Sequence, residues 1–161
     1  DGVFETLCAE SSAPLGFARM VSTLLGIAEW ERKQAGVTQD NAWFVDEVAL
    51  YLRAWKKGAP FLLKPTAKGF SGRSLEFNFQ VGDQYVDAIQ PHPNSTGAEL
   101  RKAVDLNTGP LGAENGFMIV VDDRKNSVAA KQEIEIIGRV ATAWPMTKLI
   151  AATGATSNTP H

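Results

Sequence analysis

Cysteine and histidine are nearly absent from this 161-residue chain: Cys8 stands alone, His92 sits between two prolines, and His161 is terminal. A single cysteine excludes an intramolecular disulfide, and no Cys/His spacing suits a zinc site. The expected compartment is the reducing cytoplasm, with Cys8 a small buried hydrophobe. A Ser/His/Asp or Cys/His triad would have to form around His92, and Cys8 is remote from it in sequence. Long apolar runs are also lacking, since none approaches the ~20 residues needed to cross a bilayer. Net charge is only −2, from 16 basic and 18 acidic residues. That excludes the globally basic character of many nucleic-acid binders, but not a local patch.

What is present is ordinary for a globular domain: 44% hydrophobic and 21% charged residues, enough to bury one sizeable core. Phe17, Met20, Val21, Leu24, Leu25 and Ala28 recur at helical spacing behind Ser12 and Pro14, which suit a helix entry. Residues 31–41 read as a loop, with Asp40 or Asn41 capping a second helix from Ala42 to Trp55. Phe44, Val48, Tyr51, Leu52 and Trp55 line its apolar face. Phe61 to Lys64 is a brief or edge strand, broken by Pro65 and Gly69.

From Leu75 to Val81 the residues alternate, with Leu75, Phe77 and Phe79 on one face and Glu76, Asn78 and Gln80 on the other. Gly82-Asp83 turns this strand into a second, Gln84 to Gln90, in which Tyr85, Asp87 and Ile89 share a face. Thr96 and Glu99 have capping-box spacing for a helix over 97–106, whose thin apolar stripe is Leu100, Ala103 and Val104 and whose Glu99, Arg101, Lys102 and Asp105 face away. Residues 107–115 form a Gly/Pro loop. The uninterrupted run Phe117 to Val121 predicts a strand covered on both faces in the middle of a sheet. Ser127 caps a last helix in which Ala130, Ile134, Ile137, Ala141 and Trp144 recur, stopped by Pro145.

The sum is an α/β (α+β) chain with a mixed central sheet and the order helix, strand, strand, strand, helix, strand, helix, preceded by a helical extension. Residues 1–41 are that extension and read as the remainder of a truncated upstream region, because the chain starts at Asp1 and not at Met. Residues 42–153 are the core, and 154–161 a disordered tail.

Charge is unevenly placed. Lys56, Lys57, Lys64, Lys68 and Arg73 fall in a stretch without acids, whereas the first 55 residues carry an acidic excess. Such a run is by default a solvated face, and its functional alternative is phosphate contact. Gly69, Ser71 and Gly72 can bring backbone N–H groups toward a phosphate, or simply form a turn. Trp55 and Trp144 read as core, while Trp30 and Trp43 sit at helix edges, where they suit packing or a partner. Asp122-Asp123-Arg124 follows the central strand, where α/β sheets commonly place ligands, or caps the last helix.

The order of elements over Ala42 to Ala143 resembles the core of the restriction-endonuclease-like (PD-(D/E)XK) superfamily. The stretch Gly69-Phe70-Ser71-Gly72-Arg73-Ser74-Leu75-Glu76-Phe77-Asn78-Phe79, with Val121-Asp122-Asp123-Arg124, is similar to segments of uncharacterised bacterial proteins from phage and mobile-element neighbourhoods. The resemblance implies a nucleic-acid-binding, nuclease-like domain of a bacterial or phage conflict system. If the chain is an enzyme, it implies a Mg-dependent phosphodiesterase, with Glu76, Asp87 and Lys102 catalytic and Glu76, Asp87 and Asp122 holding Mg²⁺.

The pattern is incomplete. Ile89 stands where the lysine two positions after Asp87 belongs, so Lys102 or Arg101 would have to supply it from the next helix, and Asn78 is neutral where an acid is expected. A degenerate centre is therefore the expectation. Lys64, Lys68, Arg73 and Arg101 are the expected DNA or RNA contacts. The alternative is a non-catalytic protein-interaction or homodimerisation module on the same scaffold, motivated by the acidic N-terminal region and the scattered aromatics.

Overall fold

The computed structural model describes Ala9 and residues 13–34, 39–108 and 116–156. The chain divides into two compact units, Asp1–Val37 and Thr38–His161. In the first, α1 (Ala13–Gln34) places Pro14 in its opening turn and leaves Phe17, Leu24, Leu25 and Trp30 exposed. Cys8 and residues 35–38 and 109–115 lie outside the described residues.

The second unit is α+β, and a mixed five-stranded sheet is its frame. In chain order it runs α2 (Gln39–Trp55), β1 (Phe61–Leu63), β2 (Thr66–Lys68), β3 (Ser74–Glu76), β4 (Phe79–Val81), β5 (Gln84–Ile89), α3 (Pro93–Asn107), β6 (Gly116–Val121), α4 (Ser127–Ile137), β7 (Thr142–Pro145) and α5 (Met146–Thr156). The sheet order is β1-β4-β5-β6-β7, and β2-β3 form a separate hairpin. β4 is antiparallel to both of its neighbours, β1 and β5, whereas β5, β6 and β7 run parallel. The Gly82 turn joins Val81 to Gln84 at a left-handed φ of 59°, as the hairpin reading requires.

Helices cover both faces, which is why β6 is apolar throughout. Val86, Ala88, Met118 and Val120 point into a core with Phe44, Val48 and Leu52 of α2 and Leu149 of α5. Tyr85, Ile89, Phe117, Ile119 and Val121 point the other way, into a core with Ala103 and Leu106 of α3 and Ala130 and Ile137 of α4. The alternation expected for β5, with Tyr85, Asp87 and Ile89 on one side, holds.

Several boundaries differ from the sequence reading, each for a local reason. The strand expected over 75–81 breaks at Phe77-Asn78. Asn78 donates its N–H to Asp87 Oδ1 at 2.7 Å and accepts the Ala88 N–H on its side chain at 2.8 Å, so side-chain bonds replace the ladder there. Phe77 consequently enters the α3/α4 core and Phe79 the α2/α5 core, not one shared face. Residues 66–68, beyond the expected break at Pro65, form a strand paired with 74–76.

Helix α3 starts at Pro93, capped by the His92 ring accepting from Asn94 N, so Thr96 and Glu99 are interior and buried, not a capping box. Asn126, not Ser127, caps α4. That helix ends at Ile137, and Ala141 and Trp144 belong to the approach and body of β7, where Trp144 meets Trp55 at 5.0 Å between ring centres. Gly138 ends the helix, and the spacing that carried the pattern through it was coincidental. Pro145 closes β7 instead of a helix, and α5 takes in residues 154–156 of the expected tail; 157–161 lie outside the described residues. α2 begins at Gln39, placing Asp40 and Asn41 inside its first turn, and α1 runs on to Gln34.

Candidate functional site

α3 lies on the sheet face to which β5 directs Asp87, and the two elements bring three ionisable groups together, Asp87, Glu99 and Lys102. Lys102 Nζ donates to Asp87 Oδ2 at 2.5 Å and lies 3.3 Å from Glu99 Oε2. Asn78 N–H holds the other Asp87 oxygen. The Lys102 ammonium also sits 5.1 Å from the centre of the Phe77 ring. Spacing explains the convergence: Thr96, Glu99 and Lys102 follow one another at i, i+3 on the side of α3 that also buries Ala103 and Leu106.

The electrostatics follow from burial. Glu99 is pushed up to about 8, first by desolvation and then by the Asp87 charge, so it carries its proton at neutral pH. Burial alone would lower Lys102, but the Asp87 carboxylate, with Glu99 beside it, outweighs burial and raises the ammonium above its ordinary value. The cluster thus sets the Lys102 ammonium against Asp87, with a protonated Glu99 beside them. Lys102 donates to Glu99 Oε1 at 3.4 Å, so Glu99 Oε2 is an ion-pair neighbour of the ammonium without an aligned hydrogen bond, and Thr96 Oγ1 is buried without a hydrogen-bond partner.

Of the residues expected to be catalytic, Asp87 and Lys102 meet, whereas Glu76 lies in the small β2–β3 hairpin, exposed and opposite Thr66. Asp122 is on the far side of the sheet. It follows β6 beside Gln90, which donates to it at 3.3 Å, and Arg124 Nε donates to it at 2.8 Å. Arg124 in turn reaches Glu47 of α2 at 2.8 Å. Burial would raise the Asp122 carboxyl, but the Arg124 bonds prevail and hold it below the ordinary range. Asp123 accepts from Thr147 N at 3.1 Å and Thr147 Oγ1 at 2.6 Å, so it caps α5 from a distance.

The set Glu76, Asp87 and Asp122 therefore does not fit one Mg²⁺ ion, because its members occupy a separate hairpin and two opposite sheet faces. Beside Asp87 the place of a cation is taken by the Lys102 ammonium. Among the described residues, no three His, Cys, Asp or Glu side chains group as metal ligands. What the cluster can do is hold a proton and fix α3 to β5.

Glu99 is the member that sequence reasoning misplaced on the outer face. Its signal was the thinness of the apolar stripe on α3, since a helix with too few apolar residues for its buried side completes that side with polar ones.

Lys64, Lys68, Arg73 and Arg101 are all exposed. Lys64 follows β1 with a left-handed φ of 48°, and Lys68 ends β2 opposite Ser74. The turn from Gly69 to Arg73 is docked on α3: Ser71 N and Oγ each donate to the Asp105 carboxylate at 2.7 Å, and Phe70 N donates to Asp105 O at 2.8 Å. A Cβ on Gly69 would lie 2.3 Å from Asp105 Oδ2, so any larger residue there must displace the Asp105 carboxylate from Ser71. The Ser71 bonds, with Arg73 nearby, hold the Asp105 carboxyl below its usual range. The N–H group of Ser71, which the sequence offered to a phosphate, thus serves the chain's own carboxylate.

No described helix is long and apolar enough to cross a membrane. Compared with known proteins, the chain matches no family model, no curated sequence and no solved structure, so its chemistry must be read from its own residues.

Proposed function

We propose that residues 38–156 form a nucleic-acid-binding domain of restriction-endonuclease-like build whose hydrolytic centre is closed. The observation that carries this reading is the Ser71–Asp105 contact, which fixes the β2–β3 turn, flanked by Lys68 and Arg73, against α3, the helix that carries Arg101. Cations presented on a fixed turn suit phosphates, and the centre counts as closed because Lys102 neutralises Asp87. A bacterial or phage conflict setting is supported by the resemblance of residues 69–79 and 121–124 alone.

The test is binding of labelled DNA and RNA oligonucleotides across a salt series. With four phosphates neutralised, log K should fall with log salt at a slope of about −3.6 on a duplex or about −2.8 on a single strand, a loss of roughly fifty- to a hundredfold between about 50 and about 200 mM. Changing Lys64, Lys68, Arg73 and Arg101 together to Ala should abolish that dependence. Incubation with Mg²⁺ or Mn²⁺ should give no cleavage, and cleavage that Asp87→Ala removes would overturn the closed centre.

A second reading has its own observation. α1 exposes Phe17, Leu24, Leu25 and Trp30, which favours a protein contact or homodimer through that helix. Elution as a dimer that Leu24→Glu disperses, with no nucleic acid bound at low salt, would favour it over the first.

A further inference from the structure

A large aromatic side chain held out in solvent by a pinned backbone asks for a ligand. Phe70 is 73% exposed, yet its own N–H is bonded to Asp105 O and its neighbours Gly69 and Ser71 are locked against the Asp105 carboxylate. The ring edges a groove of about 400 Å³ whose other walls are Leu100, Arg101, Val104, Asp105 and Thr108 of the α3 surface. That volume lies toward the small end of the roughly 300–1,000 Å³ span of ligand clefts. Val104, half exposed at 51%, forms the apolar floor.

We infer that this groove takes one unstacked base of a single-stranded nucleic acid, with Phe70 as the stacking platform and Arg101, Arg73 and Lys68 around the flanking phosphates. This rests on the nucleic-acid reading and narrows it to single strands. The charge pattern selects the occupant: an apolar slot with Arg101 in its wall, its one carboxylate already engaged by Ser71, and Lys68 and Arg73 on the turn that carries Phe70, fits a flat, uncharged ring carried on a polyanion. A duplex keeps its bases paired and stacked, and so would offer this groove only sugar and phosphate.

The polar groups of the walls also say what the groove does not read. Thr108 Oγ1 donates to Val104 O at 2.8 Å, and both oxygens of Asp105 accept from Ser71. These groups are engaged within the chain, which leaves the ring face and the Arg101 guanidinium to act on a base. Stacking without edge recognition accepts any base, so binding should be tolerant of sequence.

The experiment measures fluorescence anisotropy with labelled single-stranded DNA, single-stranded RNA and duplex DNA of one length. It compares the wild-type chain with Phe70→Ala, Phe70→Leu and Phe70→Trp, each checked for folding by circular dichroism. Phe70→Ala and Phe70→Leu should each weaken single-strand binding by roughly five- to a hundredfold, Phe70→Trp should retain it, and duplex binding should be weak and unchanged. Quenching of a 2-aminopurine base by wild type but not by Phe70→Ala should accompany this.

Equal wild-type affinity for duplex and single strand, or binding indifferent to Phe70→Ala, would overturn the base groove while leaving a phosphate-binding surface in place. Full affinity in Phe70→Leu would replace stacking by simple apolar contact and equally overturn it. Failure of every nucleic acid to bind at low salt would remove the nucleic-acid reading and the groove together.

Discussion

Replacing Lys102 by Met keeps the bulk of the side chain beneath α3 and removes its charge, leaving the Asp87 carboxylate, 3% exposed, without its counter-ion. Breaking a fully buried pair from one side costs about 3–5 kcal/mol. The Lys102 side chain is 20% exposed, so water screens part of the interaction and the loss should be about 2–3 kcal/mol. Loss of the ammonium from the Phe77 ring contributes about 0.5 kcal/mol of this.

For a domain whose total stability is about 5–15 kcal/mol, that is a large fraction, and it should lower the urea midpoint by about 1 M with the slope unchanged. The Lys102→Met/Asp87→Asn double variant removes both charges and keeps an oxygen that accepts from Asn78 N, so it should recover at least half of the loss. Equilibrium urea unfolding followed by Trp55 and Trp144 fluorescence measures both. A single variant within about 0.5 kcal/mol of wild type, or a double variant no better than the single, would refute the account of Lys102 as the internal counter-ion of Asp87.

Three further outcomes follow from other contacts. Glu99 holds its proton in the folded state up to about pH 8, but in the unfolded chain releases it near its ordinary value of 4.5. Between those values the native state binds more protons, so stability should fall by up to a few kcal/mol as pH rises through that window and level off above it; Glu99→Gln should flatten the profile in thermal melts. Gly69→Ala should lose about 1–3 kcal/mol, because its Cβ would meet the Asp105 carboxylate at 2.3 Å, and amide exchange at Ser71 should quicken. Asp123→Ala should lose about 1 kcal/mol and fray α5 at Thr147, detectable by amide exchange at that end.

Sequence revealed most where period and burial agreed. β5 and β6 alternate or run apolar for a reason that needs no knowledge of their neighbours, and the Gly82 turn fixes the hairpin register. It revealed least where one pattern served two structures. Ala141 and Trp144 satisfy a helical spacing from Ile137 and equally well an extended strand, and only the helix end at Gly138 decides between them. Leu75, Phe77 and Phe79 alternate perfectly, yet Asn78 has a side chain able to replace a ladder bond, and its partner Asp87 is nine residues away. Of the candidate site, Asp87 and Lys102 were legible as chemistry-bearing residues, but their meeting depended on the rotation of α3. That rotation is set by the burial of Ala103 and Leu106, and it also turns Glu99 inward.

Asn78 has a mechanical consequence. The β2–β3 arm is moored at its root by Asn78 to Asp87 and at its tip by Ser71 to Asp105, one tether reaching the sheet and the other the helix above it. An arm fastened at both ends cannot swing as a flap. It behaves as a strut between β5 and α3, so a force on its tip is delivered to the carboxylate that Lys102 holds.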